Sequence, residues 1–373
     1  MKRVSALVSF VILVQFVMAH GSPAAGKFDA RQWAHEHFAR NVIPPFSFVY
    51  GGKNSDAFIK GWAFKAETLK SADPNVEESV YTWSDRKSGL IVTCFVTCYS
   101  DFNAMEYMLR FTNSSSRNTP ILQKTAVISN SFSYDRKGAF ILHHLKGSDA
   151  LKNDFQPYDE SMQIGKSVYM TPSRYRSSDH TAFPFFNIES PAQQGIMVAV
   201  GWTGKWYAEV VQENESSVSL RAGMENMHLT LYPKEETRTP RIALLFWQSA
   251  DRMDGHNLFR RFILAHHSRK ISGQTAIYPL SGSFDYGDPA PCGEYECLSE
   301  EFAVALVKRY QQFGILPELF WLDAGWYSGC GLQYERGHWH ENVGNWTVEK
   351  SRFPNGLRPV AEAVHAVGAK FMV

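Results

Sequence analysis

The chain has 373 residues, of which 44% are hydrophobic and 20% charged, a balance that suits globular domains with real cores and a length that allows two of them. Its formal net charge is +1 and no long basic run occurs, which excludes nucleic acid as an expected partner. Aromatic residues reach 14%, and large cores account for most of them.

The N-terminus carries the three parts of a signal peptide. Lys2 and Arg3 form a charged start, residues 6–18 an apolar stretch, and Ala19, Gly21, Ser22, Ala24 and Ala25 supply small residues for cleavage. The apolar stretch is short of the ~20 residues that span a bilayer comfortably. Residues 1–25 are therefore expected to be a signal peptide. The mature chain is expected to be exported, periplasmic or extracellular, with no membrane span.

Residues 27–250 read as β-structure. Segments 80–83, 90–99, 107–111, 195–202, 218–221, 228–232 and 241–247 alternate or are rich in β-branched and aromatic residues. Turn residues separate them, as at 84–89 and 232–236. Many strands without helical periodicity between them predict a large antiparallel β-sandwich. Cys94 and Cys98 lie four apart on one of these strands, about 13 Å at a rise of ~3.3 Å per residue, whereas bridged Cα atoms need to be within roughly 7 Å. These two are expected to be buried thiols.

In the stretch 251–278 the texture changes. Leu258, Phe262 and Ala265 fall at i, i+4 and i+7 with Arg260 and Arg261 between them, which predicts an amphipathic helix linking two domains. From 279 to 373 the pattern is α/β. Residues 281–285 form a candidate strand. Ser299 can cap a helix with Glu300 and Glu301 in its first turn. Ala303, Leu306, Val307, Tyr310 and Phe313 continue it at helical spacing, and Gly314 stops it. Leu319-Phe320-Trp321-Leu322 is a continuous apolar run, which suits a parallel strand buried on both faces. Leu357, Val360, Val364 and Val367 mark a second helix ended by Gly368, and residues 370–373 open a third strand. The βαβαβ order predicts the opening of a parallel α/β domain.

The strongest local feature is Trp321-Leu322-Asp323-Ala324-Gly325-Trp326-Tyr327. An Asp at the C-terminal tip of a buried parallel strand stands where barrels and open α/β sheets keep their sites. Gly325 lets the chain turn out of the strand. Trp326 and Tyr327 put flat faces beside a carboxylate that can accept hydrogen bonds from paired sugar hydroxyls. The competing reading makes Asp323 an ordinary turn or cap residue. His338-Trp339-His340-Glu341 puts two imidazoles on one side of a loop near Cys330. Zinc wants four ligands in tetrahedral array, so polar loop residues are expected there and no metal. The loops after neighbouring parallel strands share a face, so Cys330 is expected to form a disulfide with Cys292 or Cys297.

Further matches follow in order. After Asp323-Ala324-Gly325-Trp326 come Gly344-Asn345-Trp346, Phe353-Pro354-Asn355-Gly356-Leu357-Arg358-Pro359 and His365-Ala366-Val367-Gly368-Ala369-Lys370-Phe371. Over residues 320–373 this resembles the melibiase-type α-galactosidases, glycoside hydrolase family 36. A weaker upstream likeness includes Glu106-Tyr107-Met108-Leu109-Arg110-Phe111-Thr112-Asn113 and Arg260-Arg261-Phe262. The resemblance implies a multidomain β plus α/β chain, in which a large β-sandwich (a supersandwich) precedes the first strands and helices of a (β/α)8 catalytic barrel. It implies retaining, two-carboxylate hydrolysis of terminal α-galactosides, with no cofactor and with an oligosaccharide bearing terminal α-linked galactose as partner. Asp323 matches an Asp that contacts galactose hydroxyls, and Trp326 and Trp346 match positions near the sugar pocket. Ala324 stands where the commoner form of the motif has a second Asp, which removes one hydroxyl contact.

The family's nucleophile lies on the fourth barrel strand and its acid/base further on, whereas Val373 falls in the third. Neither catalytic Asp is therefore expected within 1–373. A barrel needs about 250 residues, and 95 remain from 279. The chain is expected to be an incomplete barrel and inactive alone. Ala324 keeps open the same fold acting on α-N-acetylgalactosaminides or as a raffinose-type transglycosylase. A non-catalytic carbohydrate-binding β-sandwich protein is the alternative from another class, and homo-oligomerisation is left open.

Overall fold

The computed structural model describes residues 28–284, 295, 298–329 and 339–373. The expected signal peptide, Asp285, His338 and the expected disulfide among Cys292, Cys297 and Cys330 lie outside them. By internal contacts the chain divides after Ser268 into two compact units.

The first unit is built on two antiparallel sheets that share one core. In spatial order, the larger runs through Ala63–Leu69, Val76–Ser84, Leu90–Tyr99, Ala104–Asn113, Glu236–Gln248, Gln194–Gly201, Phe185–Ser190, Ile141–Leu145 and Pro157–Ser161. The smaller runs through Ser167–Met170, Trp206–Gln212, Ser217–Met224, Leu122–Ser133, Ser47–Tyr50 and Lys53–Asn54, with His228–Leu229 beside Leu122–Ser133. This is the expected sandwich. Leu90–Tyr99 shows its logic: Leu90, Val92, Cys94, Val96 and Cys98 alternate inward and are buried, and the strand pairs with Ala104–Asn113 without a slip. Phe48, Ile128, Phe132, Trp206 and Leu220 belong to the same core. Cys94 and Cys98 are free and buried, as their spacing requires. The register between Glu236–Gln248 and Ala104–Asn113 shifts between Arg238 and Arg241. Pro240 has no N–H to give the ladder at that bulge, and the Leu109 amide there donates to the Thr239 hydroxyl at 3.0 Å.

Residues 195–202 and 241–247 are nearly continuous in apolar side chains because their sheet is covered on its other face as well. Helix Arg252–Phe262, capped by Asp251, buries Phe259 and Phe262 against Tyr99, Ala104, Met197, Leu245 and Trp247. Each such phenyl group contributes roughly 2 kcal/mol by leaving water. The helix can come this close because Gly255 lies directly against the Trp247 indole, and Gly195 in the paired strand does the same. The expected stripe is shifted, with Leu258 only half-buried and Ala265 exposed. The chain continues as a π-helical turn, Ile263–His267, whose wider i→i+5 turn rotates Ala265 off the buried face.

The second unit holds three parallel strands in chain order, Ser281–Ser283, Leu319–Trp321 and Lys370–Met372, joined through helices Glu300–Gln312 and Arg358–Ala366. The expected βαβαβ order is present. Ser299 caps the first helix by accepting the Phe302 amide at 3.2 Å. Phe284, Phe320 and Leu322 pack with Ala303, Val307, Val360 and Val364. The apolar run at 319–322 is not buried on both faces, however. Trp321 is 39% exposed, because the helices cover one face of this sheet among the described residues. No helix among the described residues is long and apolar enough to cross a membrane.

Candidate functional site

Asp323 follows the central strand of the second unit. The Leu322 amide still bonds to the Met372 carbonyl at 2.9 Å, so the sheet reaches to the residue before Asp323 and aims it outward from the strand tip. Gly325 then turns the chain with φ +79°, and a Cβ there would sit 2.5 Å from the Tyr295 carbonyl oxygen. The half-buried carboxylate of Asp323 accepts a hydrogen bond from the Tyr295 hydroxyl at 3.0 Å on Oδ2.

After the turn the chain forms a short two-stranded ladder with residues 347–349. Tyr327 bridges Val348, the Ser328 amide bonds to the Thr347 carbonyl at 2.7 Å, and the Glu349 amide bonds to the Trp326 carbonyl at 2.9 Å. This ladder brings Trp326 and Trp346 together, with centroids 5.9 Å apart and planes 22° from parallel. Tyr327 stands nearly perpendicular to both rings. Trp326 is 8% exposed and Trp346 is 64% exposed, so Trp346 is the indole that can offer a face to a ligand and Trp326 is its support. Ala324 is buried in the core of this unit. The Tyr327 hydroxyl donates to the Trp339 carbonyl at 3.1 Å, and the Trp339 ring meets Tyr295 edge to face at 5.8 Å. Asn345 reaches back to Ser328, its amide donating to the hydroxyl at 3.1 Å.

Arg352 ties these loops together. It is 6% exposed, donates through Nη1 to the Leu298 carbonyl at 2.8 Å and through Nη2 to the Gly325 carbonyl, and its own carbonyl accepts the Glu300 amide at 3.0 Å. Glu300 in turn accepts the backbone and side-chain amides of Asn355. The Phe353-Pro354-Asn355-Gly356 run is thus structural: Phe353 is core and Asn355 fastens the first helix. The Ser351 amide and hydroxyl hold the Glu349 carboxyl below its ordinary pKa. Of the residues that sequence singles out, Asp323 bonds to Tyr295, and Trp326, Tyr327 and Trp346 pack on one another; sequence singles out neither Tyr295 nor Arg352, and marks Trp339 only as a loop residue. For Arg352 the signal would have been an Arg directly before an apolar, turn-forming run.

The first unit holds a separate cleft of about 840 Å³ lined by Phe183, Phe185, Met197, Phe259, His143 and Asp159 among others. It is mainly apolar, and several of its polar groups are engaged in ion pairs. His143 bridges Asp159 and Glu189 at 2.7 Å each, and Arg252 pairs with Asp159 at 3.1 Å. Among the described residues no group of three His, Cys, Asp or Glu could hold a metal ion.

No protein-family model matches the chain. The α-galactosidase of Lactobacillus acidophilus is 22% identical over 356 residues, covering 88% of this chain and 44% of that protein. α-Galactosidase C of Emericella nidulans is 27% identical over 195 residues, 50% of this chain and 24% of that protein. Among solved structures, a family 36 α-galactosidase of Geobacillus stearothermophilus superposes with a TM-score of 0.67 at 17% identity, over 88% of this chain and 45% of that one. Variants of it were solved in complex with 1-deoxygalactonojirimycin, raffinose and stachyose. The α-galactosidase of Lactobacillus brevis gives a TM-score of 0.65 at 19% identity, over 88% and 44%. The chain spans less than half the length of these relatives. In sequence and in fold, it resembles the N-terminal part of the α-galactosidases of glycoside hydrolase family 36.

Proposed function

We propose that this chain is the sugar-recognising portion of an exported glycoside hydrolase that acts on terminal α-galactosides of oligosaccharides. The observation that carries the proposal is Asp323, a half-buried carboxylate at the C-terminal tip of a parallel strand, followed at once by a turn into the stacked Trp326 and Trp346. A carboxylate in this position accepts hydrogen bonds from neighbouring hydroxyls of one pyranose ring, and the exposed Trp346 face can cover the ring's C–H side. Ala324 is buried and adds no hydroxyl contact, so recognition falls on Asp323. Retaining hydrolysis needs two carboxyl groups about 5–5.5 Å apart, one as nucleophile and one as acid and then base. We assign both to residues beyond Val373, so the chain alone binds sugar without cleaving it.

The test is a galactose titration of the 373-residue chain, followed by tryptophan fluorescence. Saturable binding is expected, weakened about 30-fold by Asp323→Ala, since hydrogen bonds to a charged group are the strong ones, and weakened less by Trp346→Ala. Unchanged binding in Asp323→Ala would sink the reading of this site. Steady release of an aryl group from an aryl α-galactoside by the pure chain would overturn the placement of the catalytic pair.

A further inference from the structure

We infer that Tyr295 is the positioning residue for Asp323, and that it selects which carboxylate oxygen meets the sugar; this rests on the sugar-binding reading of Asp323. The Tyr295 hydroxyl donates to Oδ2 of Asp323 at 3.0 Å, and no other described residue hydrogen-bonds to that carboxylate. Oδ2 therefore already carries a hydrogen bond from the protein, and Oδ1 is the oxygen with its full capacity left for ligand hydroxyls. A carboxylate on a strand tip can otherwise rotate about its last side-chain torsion, which is broad and shallow. A single directed donor ends that freedom.

The donor is itself held. The Tyr295 carbonyl lies where a side chain on Gly325 would have to go, so the Tyr295 backbone is packed directly against the turn after Asp323. The Tyr295 ring meets Trp339 edge to face, at 5.8 Å and 89°. Trp339 is fixed through its carbonyl, which accepts the Tyr327 hydroxyl, and Tyr327 belongs to the ladder that stacks Trp326 on Trp346. The tyrosine that orients the carboxylate and the indoles beside it are thus parts of one connected arrangement around Asp323. Its consequence is geometric selectivity: a hydroxyl pair is accepted only where its donor meets Oδ1 in the plane that Tyr295 sets.

The test is a double-mutant cycle with Tyr295→Phe and Asp323→Ala in the full chain, read both as galactose affinity and as thermal melting. Phe keeps the ring on Trp339 and removes only the hydroxyl. Tyr295→Phe is expected to weaken galactose binding about tenfold, and to change it by less than about twofold once Asp323→Ala has removed the acceptor, because groups that act through one hydrogen bond are non-additive. Additive losses in affinity would mean that Tyr295 contributes only to packing, and would overturn the inference while leaving Asp323 as a sugar ligand. A wild-type chain that shows no galactose signal would overturn the sugar reading, and the inferred selectivity with it. The cycle in melting temperature then decides the positioning: coupling there shows that the hydroxyl orients Asp323, and additivity there removes that as well.

Discussion

Replacing Arg352 with Met tests whether one buried cation holds the loops around Asp323. Met keeps most of the apolar stem and its packing but has no donor. The Leu298 and Gly325 carbonyls, which the guanidinium now satisfies, would be left without it. Orphaning two buried acceptors costs ~1–3 kcal/mol each, and relief from burying the cation offsets part of this, for a net loss of about 3 kcal/mol. That is a large share of the ~5–15 kcal/mol that keeps a domain folded, so the effect should appear first as local opening. The Ser328 and Glu349 amides report on it, because they bond into the ladder that begins one residue after Gly325. At ~1.4 kcal/mol per factor of ten, a loss of about 3 kcal/mol should speed their hydrogen exchange about 100-fold. Amides in the Leu90–Tyr99 strand of the first unit should be unaffected. Arg352→Lys, with one compact charge in place of the fork, should fall between, at about tenfold. Exchange at Ser328 and Glu349 within about threefold of wild type in Arg352→Met would refute the claim that the guanidinium holds these loops.

Other expectations follow from the first unit and the cysteines. A methyl added at Gly195 would meet Trp247 ring atoms at 2.4–2.6 Å, and Gly255 lies against the same ring, so Gly195→Ala should cost ~1–3 kcal/mol by overpacking. An unchanged melting temperature would show that the indole can step aside. Glu106 is buried, which works against its ionised form, but His267, Arg241 and Tyr99 outweigh burial and hold its pKa below the ordinary value. A depressed folded pKa stabilises the fold above the unfolded value of ~4.3, and that contribution is lost as pH falls through the folded value. Glu106→Gln should therefore lower the melting temperature near neutral pH and converge on wild type in acid; a gap that stayed constant down to about pH 3 would contradict this. Burial pushes the Cys94 thiol up, and the Cys98 thiol up to about 12. Iodoacetamide at about pH 8 should leave both unlabelled in the native chain, and rapid labelling of either would mean the sandwich opens there. Cys330 found alkylated without prior reduction would rule out its bridge to Cys292 or Cys297.

The elements read correctly from sequence are those with clean local patterns. Leu90–Tyr99 alternates up to its last residue, and Glu300–Gln312 has a Ser cap and an acidic first turn at its start and a Gly just past its end. Leu122–Ser133 has no such pattern. Thr125, Ala126, Val127 and Ile128 are all buried in a row, Lys124 has φ +53°, and the register shifts against both neighbouring strands. Its regularity comes from its partners, which a two-residue period cannot reveal. The short helix Ala30–His37 was also missed. Its place depends on Trp33 and Ala34 entering the sandwich core, and eight residues carry little helical signal of their own.

The site divides in the same way. The chain order alone determined that Asp323 ends a strand, that a turn at Gly325 follows, and that aromatic residues stand next to it, because these depend on neighbours along the backbone. Only the tertiary structure decided which indole is exposed, which face of the 319–322 run is covered, and what holds the carboxylate. Tyr295 reaches Asp323 across 28 residues, and Arg352 reaches Gly325 across 27 and Leu298 across 54. No periodicity relates positions so far apart. Gly325 and Arg352 meet by the folding back of one long loop, and Tyr295 and Leu298 meet that loop because parallel strands side by side put the chain after their C-terminal ends on one face, where its carbonyl and carboxylate oxygens find side-chain donors.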